Sequence, residues 1–110
     1  MEVTDRIRQL LTTHPVVLFM RGSPARPMCP DSAAASEVLE HCGSTFVTVD
    51  VQTDPELRAY LPKFADAPGF PQLFLQGELI GGASILLDLD HQGELAPMLA
   101  SCELPRASNQ

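Results

Sequence analysis

The sequence is poor in positive charge and in cysteine. Lys and Arg together number seven against fourteen Asp and Glu, which gives a formal net charge of -7 with histidine neutral. This balance argues against binding to a phosphate backbone, because that binding requires clustered cations. Three cysteines cannot form a complete set of disulfides, and free thiols are typical of a reducing compartment. We therefore expect a cytoplasmic protein that does not bind nucleic acid.

Long apolar segments are also missing. No run approaches the roughly 20 apolar residues that are needed to span a bilayer, and the charged first residues lack the apolar stretch of a signal peptide. We expect no association with membranes. A hydrophobic fraction of 45% excludes a wholly disordered chain, and 110 residues suit one domain. Residues 1–102 are predicted to form that domain, and residues 103–110, which show no pattern, a flexible tail.

The spacing of apolar residues, prolines and glycines predicts an α/β protein. The predicted helices are 2–13, 31–42, 53 or 54 to 64, 84–92 and 94–100, and the predicted strands are 16–20, 46–50, 72–75 and 78–80. Pro62 lies inside the third helix and should kink or shorten it. A helix joins the first two strands, which should therefore be parallel, whereas the last two form an antiparallel hairpin. We expect a four-stranded mixed sheet with helices on both faces.

Cys29 is the candidate nucleophile. It stands where the loop after the first strand becomes a helix, and Pro30 follows at the first helical position. The unpaired backbone N–H groups and the positive end of the helix dipole favour the thiolate at such a position. A small apolar residue that merely fills the loop is the alternative interpretation.

The other two cysteines are not expected to assist Cys29. Cys42 lies at the far end of the same predicted helix, roughly 20 Å away at about 1.5 Å per residue, whereas a disulfide needs Cα atoms within about 7 Å. We expect Cys42 to be a small residue that is buried or half-buried. Cys102 is expected to lie in a mobile tail, where it could pair only with another molecule.

From residue 15 to residue 99 the chain resembles the monothiol glutaredoxins, a branch of the thioredoxin fold. The motifs that carry the resemblance are Val17–Pro24, Cys29-x-x-Ser32, Glu56–Arg58, Phe70–Gln72, Gly77–Gly82 and Gly93–Leu95. They span most of the chain in the family's order and spacing. The resemblance implies a thioredoxin-like, three-layer glutaredoxin fold.

The resemblance also implies roles for individual residues. Cys29 matches the active cysteine of the family, and Pro71 matches its cis-proline. Phe70 would offer its backbone N–H and C=O to the cysteinyl part of glutathione. Arg21 and Arg58 match basic positions that face the glycyl end of glutathione, the first of them also facing the thiol. Gly82 matches a glycine whose bare backbone lets the peptide approach.

Two further positions belong to the same implied glutathione site. Ala83 and Ser84 stand where the family has Cys-Asp or a similar pair, and the missing Asp is the partner of the γ-glutamyl ammonium group. One charge-assisted hydrogen bond is therefore in doubt. The basic residues Arg21, Arg26, Arg58 and Lys63 are four of only seven in the chain, as a small anionic peptide ligand would require of an acidic protein.

The resemblance implies two activities for Cys29. It is the nucleophile of glutathione-dependent thiol–disulfide exchange, or it is a ligand of a 2Fe-2S cluster that bridges a homodimer, with one glutathione from each protomer. Protein thiols or iron–sulfur proteins would be the clients. A degenerate member of the family that serves as a binding or scaffold module, with weak or no binding of glutathione and cluster, is the alternative.

The departures from the family pattern concentrate around Cys29. The family has Cys-Gly-Phe-Ser where this chain has Cys29-Pro30-Asp31-Ser32, and it has Trp-Pro-Thr where this chain has residues 67–69. Pro30 removes a backbone N–H, and Asp31 places a carboxylate in the first helical turn, where it repels a thiolate and an anionic cluster. We expect the cluster to assemble less readily than in the family.

Overall fold

The computed structural model describes residues 2–67 and 69–103. Helices α1 to α5 and strands β1 to β4 alternate along the chain much as the sequence predicts. The helices are α1 Val3–Thr13, α2 Pro30–His41, α3 Pro55–Ala65, α4 Ala83–His91 and α5 Leu95–Glu103; the strands are β1 Val16–Met20, β2 Val47–Asp50, β3 Gln72–Leu75 and β4 Glu78–Gly81. A single 3₁₀ turn, Val51–Thr53, lies between β2 and α3.

The four strands form one mixed sheet in the order β2-β1-β3-β4. β1 is parallel to β2, with Val17 opposite Val47, and antiparallel to β3, which pairs with β4 as a hairpin. Gln76 and Gly77 form the hairpin turn with positive φ angles of 51° and 85°, a conformation that matches the twist of the strands it joins. The predicted mixed sheet is confirmed.

Two apolar clusters cover the two faces of this sheet. Alternate residues of β1 enter opposite clusters, since successive side chains of a strand point to opposite faces. Leu18 and Met20 pack with α2, α4 and α5, whereas Val17 and Phe19 pack with α1 and α3. All five residues of β1 are buried. The chain therefore has three layers, with the carboxyl end of β1 leading into the loop that carries Cys29.

Pro62 was predicted to kink or shorten α3, and it does not shorten the helix. The helix continues past it to Ala65. A proline at this position removes one N–H from the helix, and Leu57 and Leu61 remain anchored in the cluster beneath α1 and α3. Packing of the apolar face therefore outweighs the lost hydrogen bond.

The end of the chain also differs from the prediction. The last helix begins at Leu95 and runs to Glu103 rather than ending at residue 100. Cys102 lies within it and is buried against the cluster of α2, α4 and α5, so the expectation that it sits in a mobile tail is wrong. Burial of Leu95, Leu99 and Cys102 at helical spacing explains the extra turn. The rest of the predicted tail, residues 104–110, lies outside the described residues.

Candidate functional site

Cys29 is the N-cap residue of α2. Its backbone is extended, with φ -155° and ψ 155°, and Pro30 occupies the first helical turn. The Cys29 sulfur accepts a hydrogen bond from the backbone N–H of Ser32 over 3.4 Å. It thereby takes the place of the side-chain oxygen that usually caps a helix. A sulfur held against the first turn faces the positive end of the helix dipole.

Ser32 is the immediate partner of this sulfur. Its Oγ lies 3.1 Å from the Cys29 Sγ and accepts a hydrogen bond from the backbone N–H of Arg21 over 3.0 Å. The residue is completely buried. Since Arg21 occupies one lone pair of the Ser32 oxygen, the hydroxyl proton is available to a Cys29 thiolate. Ser32 therefore joins the end of β1 to the sulfur.

Ser32 was not predicted to have a role beyond its place in the Cys29-x-x-Ser32 motif. Its spacing from Cys29 could have indicated the contact, because an N-cap side chain accepts a hydrogen bond from the N–H of the third helical residue. A cysteine at the N-cap therefore predicts a contact with whatever side chain stands three positions later.

Arg21 and Phe70 form one side of the site. The guanidinium carbon of Arg21 lies 5.9 Å from the centre of the Phe70 ring, within the range of a cation–π interaction. The Arg21 Nε is buried and has no hydrogen-bond partner among residues 2–67 and 69–103. The peptide bond between Phe70 and Pro71 is cis, as the resemblance implied. Arg21 therefore holds an unused donor beside the cis-proline.

The start of α4 closes against the same cis-proline. A Cβ added at Gly82 would lie 3.1 Å from the carbonyl oxygen of Pro71, which is tighter than most contacts. The bare backbone at Gly82 therefore brings α4 next to β3. Gly82 is the N-cap of α4 but supplies no side-chain cap, so the first N–H groups of the helix lack a side-chain acceptor and are suited to an anion.

Ala83 and Ser84 form the first turn of α4. Ala83 is buried and Ser84 is exposed. Contacts link Cys29 through Ser32 to Arg21, Arg21 to Phe70, and Pro71 to Gly82. That these residues form one glutathione-binding surface with Ala83 and Ser84 stays a prediction.

Arg58 is the predicted residue that the described contacts do not connect to this surface. It is exposed on α3 and forms no ion pair within the described ranges. Arg6 forms the ion pairs of this region, with Asp54 and with Glu56. A role for Arg58 in ligand binding stays a prediction.

The loop that presents Cys29 is pinned to β2. The side chain of Asp50 accepts hydrogen bonds from the backbone N–H groups of Gly22 and Gln52, both over 2.9 Å. Gly22 is buried with a φ of 88°, and a Cβ there would lie 2.4 Å from the carbonyl oxygen of Arg26, so a side chain cannot be accommodated. Asp50 was not predicted. Its place at the carboxyl end of a strand parallel to β1 was the available signal.

Gln72 supports the segment before the cis-proline from beneath. It is 2% exposed, and its amide nitrogen donates to the carbonyl oxygen of Gly69 over 3.0 Å. Gly69 directly precedes Phe70, so this bond fixes the approach to the ring. Of the divergent residues 67–69, Pro68 lies outside the described residues.

Asp31 is exposed in the first turn of α2. The structure gives its carboxylate no ion pair within the parts of the chain that it describes. Pro30, immediately before it, is exposed as well. Both departures from the family motif therefore face solvent beside the Cys29 sulfur.

Cys42 occupies the opposite end of α2, where it is half-buried as predicted. Its thiol donates to the Asp90 carboxylate of α4 over 3.6 Å. Burial raises the pKa of the Cys42 thiol, and the hydrogen bond and negative charge of Asp90 raise it further. Cys42 is therefore a neutral thiol at physiological pH.

Two negative findings concern residues 2–67 and 69–103. Within them, three or more His, Cys, Asp or Glu side chains nowhere converge as ligands for a metal ion. Their helices are too short or too polar to cross a membrane.

Comparison with known proteins identifies the family. The family model for glutaredoxin matches residues 16–80. Glutaredoxin 4 of Haemophilus influenzae strain 86-028NP is 46% identical over 100 residues, covering 91% of this chain and 94% of the relative.

Solved structures agree with this match. A monomeric truncated mutant of Trypanosoma brucei 1-C-Grx1 superimposes with a TM-score of 0.81 at 33% identity over 92% of each chain. A buckwheat glutaredoxin solved as a glutathione complex shares the fold, with a TM-score of 0.78 at 22% identity over 89% of this chain and 87% of the other. The thioredoxin-like fold is confirmed. The chain therefore belongs to the glutaredoxin family, and its single motif thiol in Cys29-x-x-Ser32 makes it a monothiol member.

Proposed function

We propose that this protein binds glutathione beside Cys29 and catalyses thiol–disulfide exchange with glutathionylated protein thiols. The observation that carries the proposal is the placement of the Cys29 sulfur at a helix N-cap, where it is half-buried, accepts a hydrogen bond from the N–H of Ser32 and donates one from its thiol to the Ser32 hydroxyl oxygen. These contacts hold the sulfur in one orientation at the start of α2, where a disulfide can reach it.

The surface beside the sulfur fits a small anionic peptide. Glutathione carries two carboxylates and one ammonium group. The unpartnered Arg21 Nε and the uncapped first turn of α4 after Gly82 supply donors for carboxylates. The Phe70 ring lies against the Arg21 guanidinium group, just before β3 begins at Gln72. The buckwheat glutaredoxin of the same fold was solved with glutathione, which supports this ligand.

The exchange takes place in two substitutions at sulfur. The Cys29 thiolate attacks the glutathionyl sulfur of the mixed disulfide, and the client leaves as a thiolate that takes a proton from water. The thiolate of a second glutathione then attacks the glutathionyl sulfur on Cys29 and releases glutathione disulfide and the Cys29 thiolate. Ser32 stabilises that thiolate in both the attacking and the leaving state, because its hydroxyl is fixed by Arg21.

The residues around Cys29 do not suit a 2Fe-2S cluster. A cluster held by four thiolates is anionic, and the exposed Asp31 carboxylate stands in the same turn as its protein ligand. Pro30 offers no N–H to a cluster sulfide. The cluster-bridged homodimer stays a prediction. After anaerobic reconstitution with iron, sulfide and glutathione, we expect little visible absorbance, and a stable coloured dimer with stoichiometric iron would contradict this.

The test of the proposed function is turnover of a glutathionylated peptide with millimolar glutathione, compared between the parent protein and Cys29→Ser. We expect turnover that depends on Cys29 and binding of glutathione by calorimetry. Absence of both would favour the alternative of a scaffold module. Three free thiols fit a reducing compartment such as the cytoplasm, where glutathione is abundant.

A further inference from the structure

The two sides of Cys29 carry opposite charges. On the side of β1, the guanidinium group of Arg21 stacks over Phe70, next to the cis-proline. On the side of α2, Asp31 exposes a carboxylate. The sulfur is hydrogen-bonded to the N–H of Ser32, so it lies over the helical turn that contains Asp31. The strand end that contacts Ser32 therefore carries a cation, and the helix that begins after Cys29 carries an anion.

The Asp31 charge is available to a bound partner. Within the described ranges Asp31 forms no ion pair. The ion pairs there join Arg6 to Asp54 and to Glu56. Pro30 fixes the backbone immediately before Asp31, which limits how far the carboxylate moves from the sulfur. An exposed, positioned and unpaired charge acts on selectivity more than on stability.

We propose that Asp31 is a specificity-determining residue that directs Cys29 to clients with positive charge near the glutathionylated cysteine. This inference rests on the proposed exchange reaction. The Cys29 thiolate attacks the glutathionyl sulfur, the client–glutathione S–S bond breaks, and the client leaves as a thiolate. Glutathione is anionic and takes the side of Arg21, so the client polypeptide remains beside Asp31. Basic residues in the client are attracted there, and acidic ones are repelled.

The expected size of the preference follows from electrostatics in water. Two unit charges about 7 Å apart at a water-exposed site alter a rate by roughly threefold, and several client charges raise this to about tenfold. Screening by salt should reduce the preference, because the Debye length falls from about 10 Å at 0.1 M to about 3 Å at 1 M. If Asp31 had only a structural role, the rates would show neither a preference for basic clients nor a dependence of that preference on salt.

The test uses two glutathionylated peptides of identical sequence except for two lysines or two glutamates flanking the modified cysteine. The measured quantity is the ratio of the two values of kcat/KM at low salt. We expect the parent protein to prefer the lysine peptide by threefold to tenfold, Asp31→Asn to bring the ratio close to one, and Asp31→Glu to restore it. Since the ratio compares two substrates of one enzyme, a general change in sulfur reactivity cancels.

Glu40→Gln is the matched control. Glu40 is exposed on the same helix, and its loss changes the net charge equally, but it lies about 14 Å further along α2 at 1.5 Å per residue. We expect this variant to keep the preference. An equal rate for both peptides, or an equal effect of Glu40→Gln and Asp31→Asn, would overturn the inference while leaving the exchange reaction intact. No turnover of either peptide would instead overturn the proposed function.

Discussion

The two ends of α2 place the same residue type in opposite environments. At the N-terminus, the Cys29 sulfur accepts from the N–H of Ser32 and meets a hydroxyl. At the C-terminus, the Cys42 sulfur is half-buried and faces the carboxylate of Asp90. The helix dipole favours an anion at the first position and disfavours one at the second. We therefore expect position on one helix to separate a reactive thiol from an inert one.

The largest expected effect is loss of the reactive thiol itself. Cys29→Ser should reduce the rate of peptide deglutathionylation by more than about 100-fold, because a hydroxyl is a far weaker nucleophile than a thiolate. Cys42→Ser is the matched control and should remain within about twofold of the parent. A large effect of the control variant would contradict the contrast between the two ends of α2.

Ser32→Ala should have the next largest effect. It removes the hydroxyl from the sulfur and leaves the partly buried N–H of Arg21 without its acceptor, at a cost of about 1–3 kcal/mol in the free energy of unfolding. Alkylation of Cys29 by iodoacetamide at pH 7 should slow by about fivefold to tenfold. The control is Ser36→Ala, because Ser36 is 2% exposed but donates to the carbonyl oxygen of Ala33.

Ser36→Ala should therefore lower stability without changing the alkylation rate. The same slowing in both variants would show that the effect arises from altered packing of α2. Ser32→Thr keeps the hydroxyl and should retain more of the alkylation rate than Ser32→Ala.

Arg58→Gln tests the predicted contact between Arg58 and glutathione, because no described interaction links Arg58 to Cys29. If the exposed guanidinium pairs with a glutathione carboxylate, the dissociation constant for glutathione should rise by about threefold to tenfold, as for a charge-assisted hydrogen bond at an exposed site. Lys63→Gln removes a charge from the same helix and serves as the control. Equal effects in calorimetry would reduce the role of Arg58 to general electrostatic attraction.

The smallest expected effect concerns Cys42. Asp90→Asn removes the negative charge that helps to raise the pKa of Cys42, so the pKa should fall. In a Cys29→Ser background, alkylation of Cys42 at pH 9 should accelerate by about twofold to threefold. Burial, the larger cause, remains. Asp88→Asn, which alters an exposed neighbour on α4, should leave the rate unchanged.

The raised pKa of Cys42 also makes the free energy of unfolding depend on pH. The folded chain holds this proton more tightly than the unfolded chain, for which the ordinary pKa is 9.0. The contribution of Cys42 to stability is therefore complete below pH 9 and declines as the pH rises towards the folded-state pKa. Asp90→Asn should make that decline smaller.

Sequence patterns predicted most of the fold because its elements are marked by strong local signals. Gly43 ends α2 with a φ of 74°, and its N–H bonds to the carbonyl oxygen of Glu40, as a C-terminal glycine does. The predicted shortening of α3 at Pro62 and the predicted tail around Cys102 were wrong for a common reason. Both predictions relied on local propensity, whereas the buried faces of α3 and α5 decide where those helices end.

The site was predictable where one residue type signals one structural role. Cys29 before a proline indicates an N-cap, and Pro71 follows a phenylalanine in the position of a cis-proline. The supporting contacts were not predictable in the same way. Asp50 reaches Gly22 across two strands, and the contact between Gly82 and Pro71 depends on the packing of α4. Contacts of this kind depend on tertiary geometry, which no local pattern specifies.

The most direct test of the central contrast is to map the modified cysteine after treatment with glutathione disulfide. The folded protein is incubated at pH 7, and the modified cysteines are located by peptide mass spectrometry over time. We expect glutathione on Cys29, with Cys42 and Cys102 modified only after denaturation. Modification of Cys42 as fast as Cys29, or an unmodified Cys29, would contradict the assignment of Cys29 as the reactive thiol.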